Sequence, residues 1–286
     1  MQKYINDFVD ASTHLSSKFN NEEPFAAGKI GCNELRCVKN YFEYHEKGQE
    51  PVWTEEVEYK TYYQNGIFPQ TTEAKISFIN ELIYCIKDMD CLSLWSPYDI
   101  EYEKRFIEKY SPNSTLVPLR SLEPYYSGIP WTQNLKDKKV LVVTSFPETI
   151  RNQYNKREVL WEDKRILPKF DLITLGHQHS PGVGEPSKYK DWSEMIADMK
   201  EQMNAINYDV ALIGTGASSL PLVSFAKTSG KKAIHLGGAL QILFGIAGSR
   251  WDSKIIGQVF YNKHWVRVLE NETPKKYKMV ENGAYW

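Results

Sequence analysis

Apolar and polar positions follow a clear period along this chain. Over 72–87, Ile76, Ile79, Leu82, Ile83 and Ile86 recur every 3.6 residues, which predicts a helix with one face on a core. The segment 34–47 reads as another helix, opened by the turn Gly28-Lys29-Ile30-Gly31. Short apolar runs at 91–95 and 115–119 flank a helical stretch at 99–110, a strand–helix–strand rhythm. Residues 121–139 are rich in Pro, Gly and Tyr and lack a period, so they predict a connection between two halves.

The second half is plainer. The unbroken apolar run 139–144 predicts a strand buried on both faces, as in a parallel sheet. A Ser145-Phe146-Pro147 turn leads into a predicted helix over 148–163, then a strand at 171–175. Asp191 and Glu194 form a capping box that opens a helix to 207. Met195, Met199 and Met203 make its core stripe. Strand 209–213, turn 214–219, helix 220–229 and strand 232–236 complete the alternation. The pattern predicts an α/β fold: a mainly parallel, Rossmann-like sheet with flanking helices. It is expected to be one domain over 1–286, whose halves, 1–135 and 136–286, line one cleft.

Composition narrows the function. The 35 Lys and Arg against 36 Asp and Glu leave a formal charge of −1, which argues against a nucleic-acid partner. The 8 Trp and 18 Tyr suit a cleft that stacks on rings, and equally an aromatic core. The four cysteines have no metal-type spacing and read as free thiols in a reducing compartment. No stretch is apolar enough to span a bilayer, so membrane insertion is not expected and the cytoplasm is the expected location.

Several constellations could carry chemistry. In DVALIGTGASS, residues 209–219, the glycines let a backbone turn approach a phosphate at a helix N-terminus. Gly214, Thr215, Gly216, Ala217 and Ser218 are the candidate contacts; a tight turn without ligand is the plain alternative. No acid closes the next strand, which disfavours a dinucleotide. Ser145, Gln153 and Arg157 could clamp a pyrophosphate, the last two sharing a helix face four residues apart. Gly31 and Asn33 bracket a tight corner where Glu34 opens a helix, a place the helix dipole also favours for structural reasons alone. Asn65 and Gly66 begin a turn with Phe68 at its tip. His177 and His179 could share one side of an extended segment, but no third metal ligand is evident, so no metal residue is assigned.

The stretch 234–251, IHLGGALQILFGIAGSRW, then YNKHWV at 261–266, ETP at 272–274 and the closing Tyr285-Trp286 resemble the GT-D-fold-like glycosyltransferase domain family. The resemblance runs from Gly28 to Trp286. The better-studied members carry an Asp-Gly-Glu signature whose acids serve metal and donor. Here Glu34 matches the second acid and Cys32 replaces the first. Gly214 to Ser219 and Gly237-Gly238 match the family's glycine-rich turns. The resemblance implies a glycosyltransferase that moves a sugar from a nucleotide-sugar donor, UDP foremost, to a glycan or other hydroxyl acceptor. Glu34 would be the base and His179 the second candidate; Phe68 and Trp251 would stack on uracil or sugar. With one acid missing, no cofactor is expected, or only a weak need for a divalent cation such as Mn²⁺ or Mg²⁺. The rival is a non-catalytic protein that binds a nucleotide sugar or glycan. Oligomeric state is left open, a homo-oligomer among the options.

Overall fold

The run Lys139–Thr144 becomes a strand that feeds two cores at once. Val140 and Val142 enter one, Leu141 and Val143 the other. In the computed structural model, which describes residues 2–184 and 186–286, it is the fourth of seven strands. These are β1 Phe25–Lys29, β2 Cys91–Leu94, β3 Thr115–Pro118, β4 Lys139–Thr144, β5 Asp171–Gly176, β6 Val210–Gly214 and β7 Lys232–His235. They form one sheet in the order β3-β2-β1-β7-β6-β4-β5, with each neighbouring pair parallel. Parallel neighbours need crossovers, and the helices supply them.

Those helices are α1 Phe8–Asn20, α2 Cys32–His45, α3 Glu55–Tyr59, α4 Thr72–Cys85, α5 Ile100–Tyr110, α6 Pro147–Tyr154, α7 Arg157–Leu160, α8 Trp192–Asn204, α9 Ser219–Thr228 and α10 Gly238–Leu243. On one face Leu35 and Val38 of α2, Phe78 and Leu82 of α4, Met195 and Met199 of α8 and Leu222 of α9 share a core with Leu92, Leu141 and Ala211. On the other, Leu15 and Phe19 of α1, Ile150 of α6 and Ile242 of α10 pack with Phe25, Val142 and Ile234. Parallel α/β architecture therefore stands as read from the periodicity.

Two elements depart from the sequence reading. Gly28 and Lys29 are strand, not turn. Their run, Phe-Ala-Ala-Gly-Lys, is poor in β-branched residues because β1 is squeezed between layers: a Cβ on Gly28 would stand 3.0 Å from His235 Cβ and from Leu220 Cδ2. The single helix expected over 148–163 is broken after Tyr154, and Arg157 starts the separate α7. At the sheet's base, Lys232 Nζ caps the end of α1 through the carbonyls of Lys18, at 2.9 Å, Phe19 and Asn21.

The amino-terminal helix is anchored by one contact above others. Trp131 is fully buried, stacks on Phe19 at 4.5 Å and donates its indole N–H to Leu122 O at 3.1 Å. Trp131→Ala is expected to lower unfolding free energy by about 3–5 kcal/mol, measured by urea denaturation.

Candidate active site

The carboxyl ends of the strands open into one cleft of about 670 Å³, lined by residues from both halves of the chain. Ligands in open parallel sheets bind beyond these ends. Lys29 closes β1 there and Thr144 closes β4. Gly214 and His235 end β6 and β7 at the same wall.

Lys29 is the unusual group. Its Nζ lies over the Trp95 ring, 4.6 Å from the centroid, and forms no ion pair among the described residues. Burial pulls its ammonium below the usual lysine range; Glu34, Cys32 and Glu123 work against this, and Arg250 adds to it. Trp95 is itself fixed, its indole N–H donating to Ile30 O at 2.9 Å.

Glu34 occupies the third residue of α2 and folds back over Gly31. A Cβ at residue 31 would fall 1.9 Å from Glu34 Oε2, so glycine is what lets the carboxylate rest there. Burial pushes its carboxyl above the usual range; a bond from its own backbone N–H and the charge of Lys29 oppose that. Next to it, burial pushes the Cys32 thiol up to about 11, so it stays protonated near neutrality. One carboxylate beside a neutral thiol does not fit a hard divalent cation, which takes several oxygen ligands. Among the described residues, no group of three or more His, Cys, Asp or Glu is arranged to hold a metal ion.

The remaining walls are aromatic and cationic. The segment Lys60–Gln64 is a π-helix, and Lys60, Tyr63 and Gln64 face the cleft from it. Asn33 Nδ2 donates to Gln64 Oε1 at 2.8 Å. Opposite, Arg250 pairs with Glu281 and lies over Tyr285, 5.0 Å from the ring centroid, and Lys254 is nearby in the wall. His179 tilts between Phe146 at 6.0 Å and Trp286 at 5.8 Å. His235 is buried beneath Gly237; burial, then Lys29, draw its imidazole down to about 3. His177 is drawn down to about 3 by burial and by His179, so both rings are neutral at physiological pH.

Of the residues singled out from sequence, Gly31, Asn33, Glu34, Asn65, Gly66, Ser145, His179, Gly214, Thr215, Gly216, Gly237 and Gly238 line the cleft. Six others do not. Phe68 turns inward, 4% exposed, into the core under α4. Gln153 is fully buried and donates to Gly245 O at 2.9 Å and His264 O at 3.1 Å, holding the chain's later segment. Arg157, displaced by the break after α6, pairs with Glu158 at 3.1 Å and lies over Tyr154. Ala217 is buried in the turn after β6. Ser218 is locked between His177 Nε2 at 3.0 Å and the Trp192 indole at 3.3 Å. Trp251 packs behind the wall, where a Cβ on Gly238 would meet its ring at 2.9 Å.

Backbone donors at the helix end expected to hold phosphate, and at the start of α6, are partly taken up by protein. In the turn after β6, Thr215 N–H donates to Ser219 Oγ at 3.0 Å and Ala217 N–H to Asn65 O at 3.4 Å. At α6, Glu272 accepts the N–H groups of Glu148 at 2.6 Å and Thr149 at 2.8 Å. Gly214 serves packing, since a Cβ there would stand 2.9 Å from Gly237 O. Gly216 has φ +59°, so a bulky residue strains the turn itself rather than cleanly blocking a ligand. The residues that sequence reasoning missed, Lys29, Trp95, Arg250, Lys254 and His235, are those the cleft supplies instead. The signal for Lys29 was its place at the end of an unread strand.

No family model matches the chain, and no curated protein matches it. Among solved structures, a selenomethionine-substituted structure of domain of unknown function 1792 is 12% identical, over 95% of this chain and 92% of that one, with a TM-score of 0.46. A structure described as a new glycosyltransferase of that domain type from Streptococcus sanguinis is 12% identical, over 95% and 96%, with a TM-score of 0.45. A third, for which the same domain is described as having a distinct glycosyltransferase fold, is 11% identical over 82% and 78%, with a TM-score of 0.42. Identities this low leave the activity to be read from the cleft.

Gly31→Ala is expected to expel the Glu34 carboxylate at little cost to the fold, because the clash falls on the end of a flexible side chain. The Glu34 pKa, followed by carboxyl ¹³C NMR titration, should then drop back toward the ordinary carboxylate range.

Proposed function

We propose that the protein is a glycosyltransferase that draws its sugar from a nucleoside-diphosphate donor, UDP-linked in the first instance, and passes it to a hydroxyl of a glycan acceptor. One observation carries this: the cleft is short of acceptors. Asn65 Nδ2, Gln178 Nε2 and Trp286 Nε1 are buried in its lining without a hydrogen-bond partner among the described residues, and Gln241 Oε1 is an acceptor in the same state. The Gln178 amide is oriented by Lys188 N–H on its Oε1 at 3.3 Å, so its Nε2 is a true donor. Buried donors without partners are costly and call for a ligand rich in oxygen acceptors. Lys29, Lys254 and Arg250 add positive charge to the same walls. A diphosphate would answer the three donors and the cations, while Gln241 Oε1, an acceptor, calls for a hydroxyl of the sugar.

In the reaction, the bond from the sugar's anomeric carbon to the donor phosphate breaks and its electron pair stays on the diphosphate. Lys29, held in a low-dielectric corner by Trp95, stabilises that charge without reorganising. Arg250 serves as the second cation once the diphosphate competes with Glu281 for it. The acceptor oxygen bonds to the anomeric carbon and its proton passes to Glu34, whose raised pKa makes it a better base than an exposed carboxylate. No step is routed through a metal ion, and activity is expected to survive EDTA.

Lys29→Ala is expected to weaken UDP binding by about 1.5–3 kcal/mol, measured by isothermal titration. Glu34→Gln should leave UDP affinity nearly unchanged and slow transfer by about 10²–10⁴-fold. UDP binding without turnover of any UDP-sugar, by water or by acceptor, would instead support a non-catalytic binding protein.

The pH profile tests both groups. A raised Glu34 pKa means that turnover is lost as pH falls, at a point above the ordinary carboxylate range. A lowered Lys29 pKa means that UDP affinity is lost as pH rises, at a point below the ordinary lysine range. The acid limb should vanish from single-turnover rates of Glu34→Gln, and the alkaline limb from titrations of Lys29→Ala.

A further inference from the structure

Glu103 lies on α5, off the cleft, yet it is fully buried, an expensive place for a carboxylate. Its Oε2 accepts the backbone N–H groups of Trp95 at 2.8 Å and Ser96 at 2.7 Å. Those residues begin the loop that leaves β2, and the same loop carries the ring on which Lys29 rests. Trp95 is thus pinned twice, at its backbone by Glu103 and at its indole by Ile30 O. Glu103 Oε1 is buried with no hydrogen-bond partner among the described residues, so the carboxylate's hydrogen bonds are spent on this loop.

We infer that Glu103 is a positioning residue for the anion site: by fixing the Trp95 backbone it holds the indole face against Lys29 and so aims the ammonium into the cleft. The inference rests on the diphosphate reading above, and names how that site is kept rigid. An ammonium on a flexible four-carbon stem loses much freedom when it binds a phosphate. A ring fixed beneath it removes part of that loss beforehand. Other charged or titratable groups around Lys29 are Glu34 and Cys32 of α2, Glu123, Arg250 and His235, and none of these bonds the Trp95 loop among the described residues.

The test is isothermal titration of the full chain with inorganic pyrophosphate. Wild type should bind and Lys29→Ala should lose most of the affinity. If wild type does not bind, or Lys29→Ala binds equally well, the diphosphate reading falls and this inference with it. With that established, Glu103→Leu should weaken binding about tenfold, the scale of a lost buried hydrogen-bond pair. Glu103→Gln offers an amide oxygen to both N–H groups and should stay within about twofold of wild type. Trp95→Leu should match Glu103→Leu, and the double variant should lose no more than either alone, as expected of residues acting in one chain. The inference is overturned if Trp95→Leu binds like wild type, a result that does not depend on Glu103→Leu folding. It is equally overturned if Glu103→Gln loses as much as Glu103→Leu, or if the two losses multiply in the double variant. In those cases Lys29 binds the anion but is not positioned through Trp95.

Discussion

A half-buried lysine ammonium held over an indole ring constrains everything around it. Such a charge is tolerated only where something compensates it, and the face of Trp95 supplies part of that compensation. Strand β1 brings the lysine to the carboxyl edge, the loop after β2 brings the ring, and the start of α2 brings the opposing carboxylate of Glu34. Each lies on a different element, and only the parallel register of β1 with β2 and β7 puts their ends level. The chemistry of the cleft is therefore a property of the sheet's order.

Glycines in this wall work for packing more than for ligand approach. Gly31 makes room for the Glu34 carboxylate, Gly214 for the carbonyl of Gly237, and Gly238 for the rings of Trp251 and Tyr285. Two backbone donors at this wall are consumed internally, Thr215 N–H by Ser219 after β6 and Glu148 N–H by Glu272 at α6.

Much of the fold was legible because buried parallel strands are written as unbroken apolar runs, as in 139–144, and because α8 carries its cap at Asp191. Strand β1 was not legible. At Gly28 the strand is pressed against His235 and Leu220, and its Ala-Ala-Gly carries no strand signature. That omission hid Lys29, since a residue placed in a turn has no defined direction. The site was legible where a local motif sets the geometry, as for Gly31 and Glu34. It was not legible where one residue decides the end of a helix. The break after Tyr154 takes Arg157 away from the cleft, and nothing in the spacing of Gln153 and Arg157 records it.

The order β3-β2-β1-β7 also has a consequence for synthesis of the chain. Strand β1 leaves the ribosome long before β7, one of its two hydrogen-bonding partners, which lies about 200 residues further along. Until β7 arrives, one edge of β1 has no strand beside it, and the small apolar residues along it present an open backbone to any neighbouring chain. Closure of the sheet waits for contacts of very long sequence separation, which are slow to form. Between the synthesis of β1 and that of β7, nascent chains of this protein therefore hold the future floor of the cleft unsealed, the stage at which a holdase chaperone would matter most.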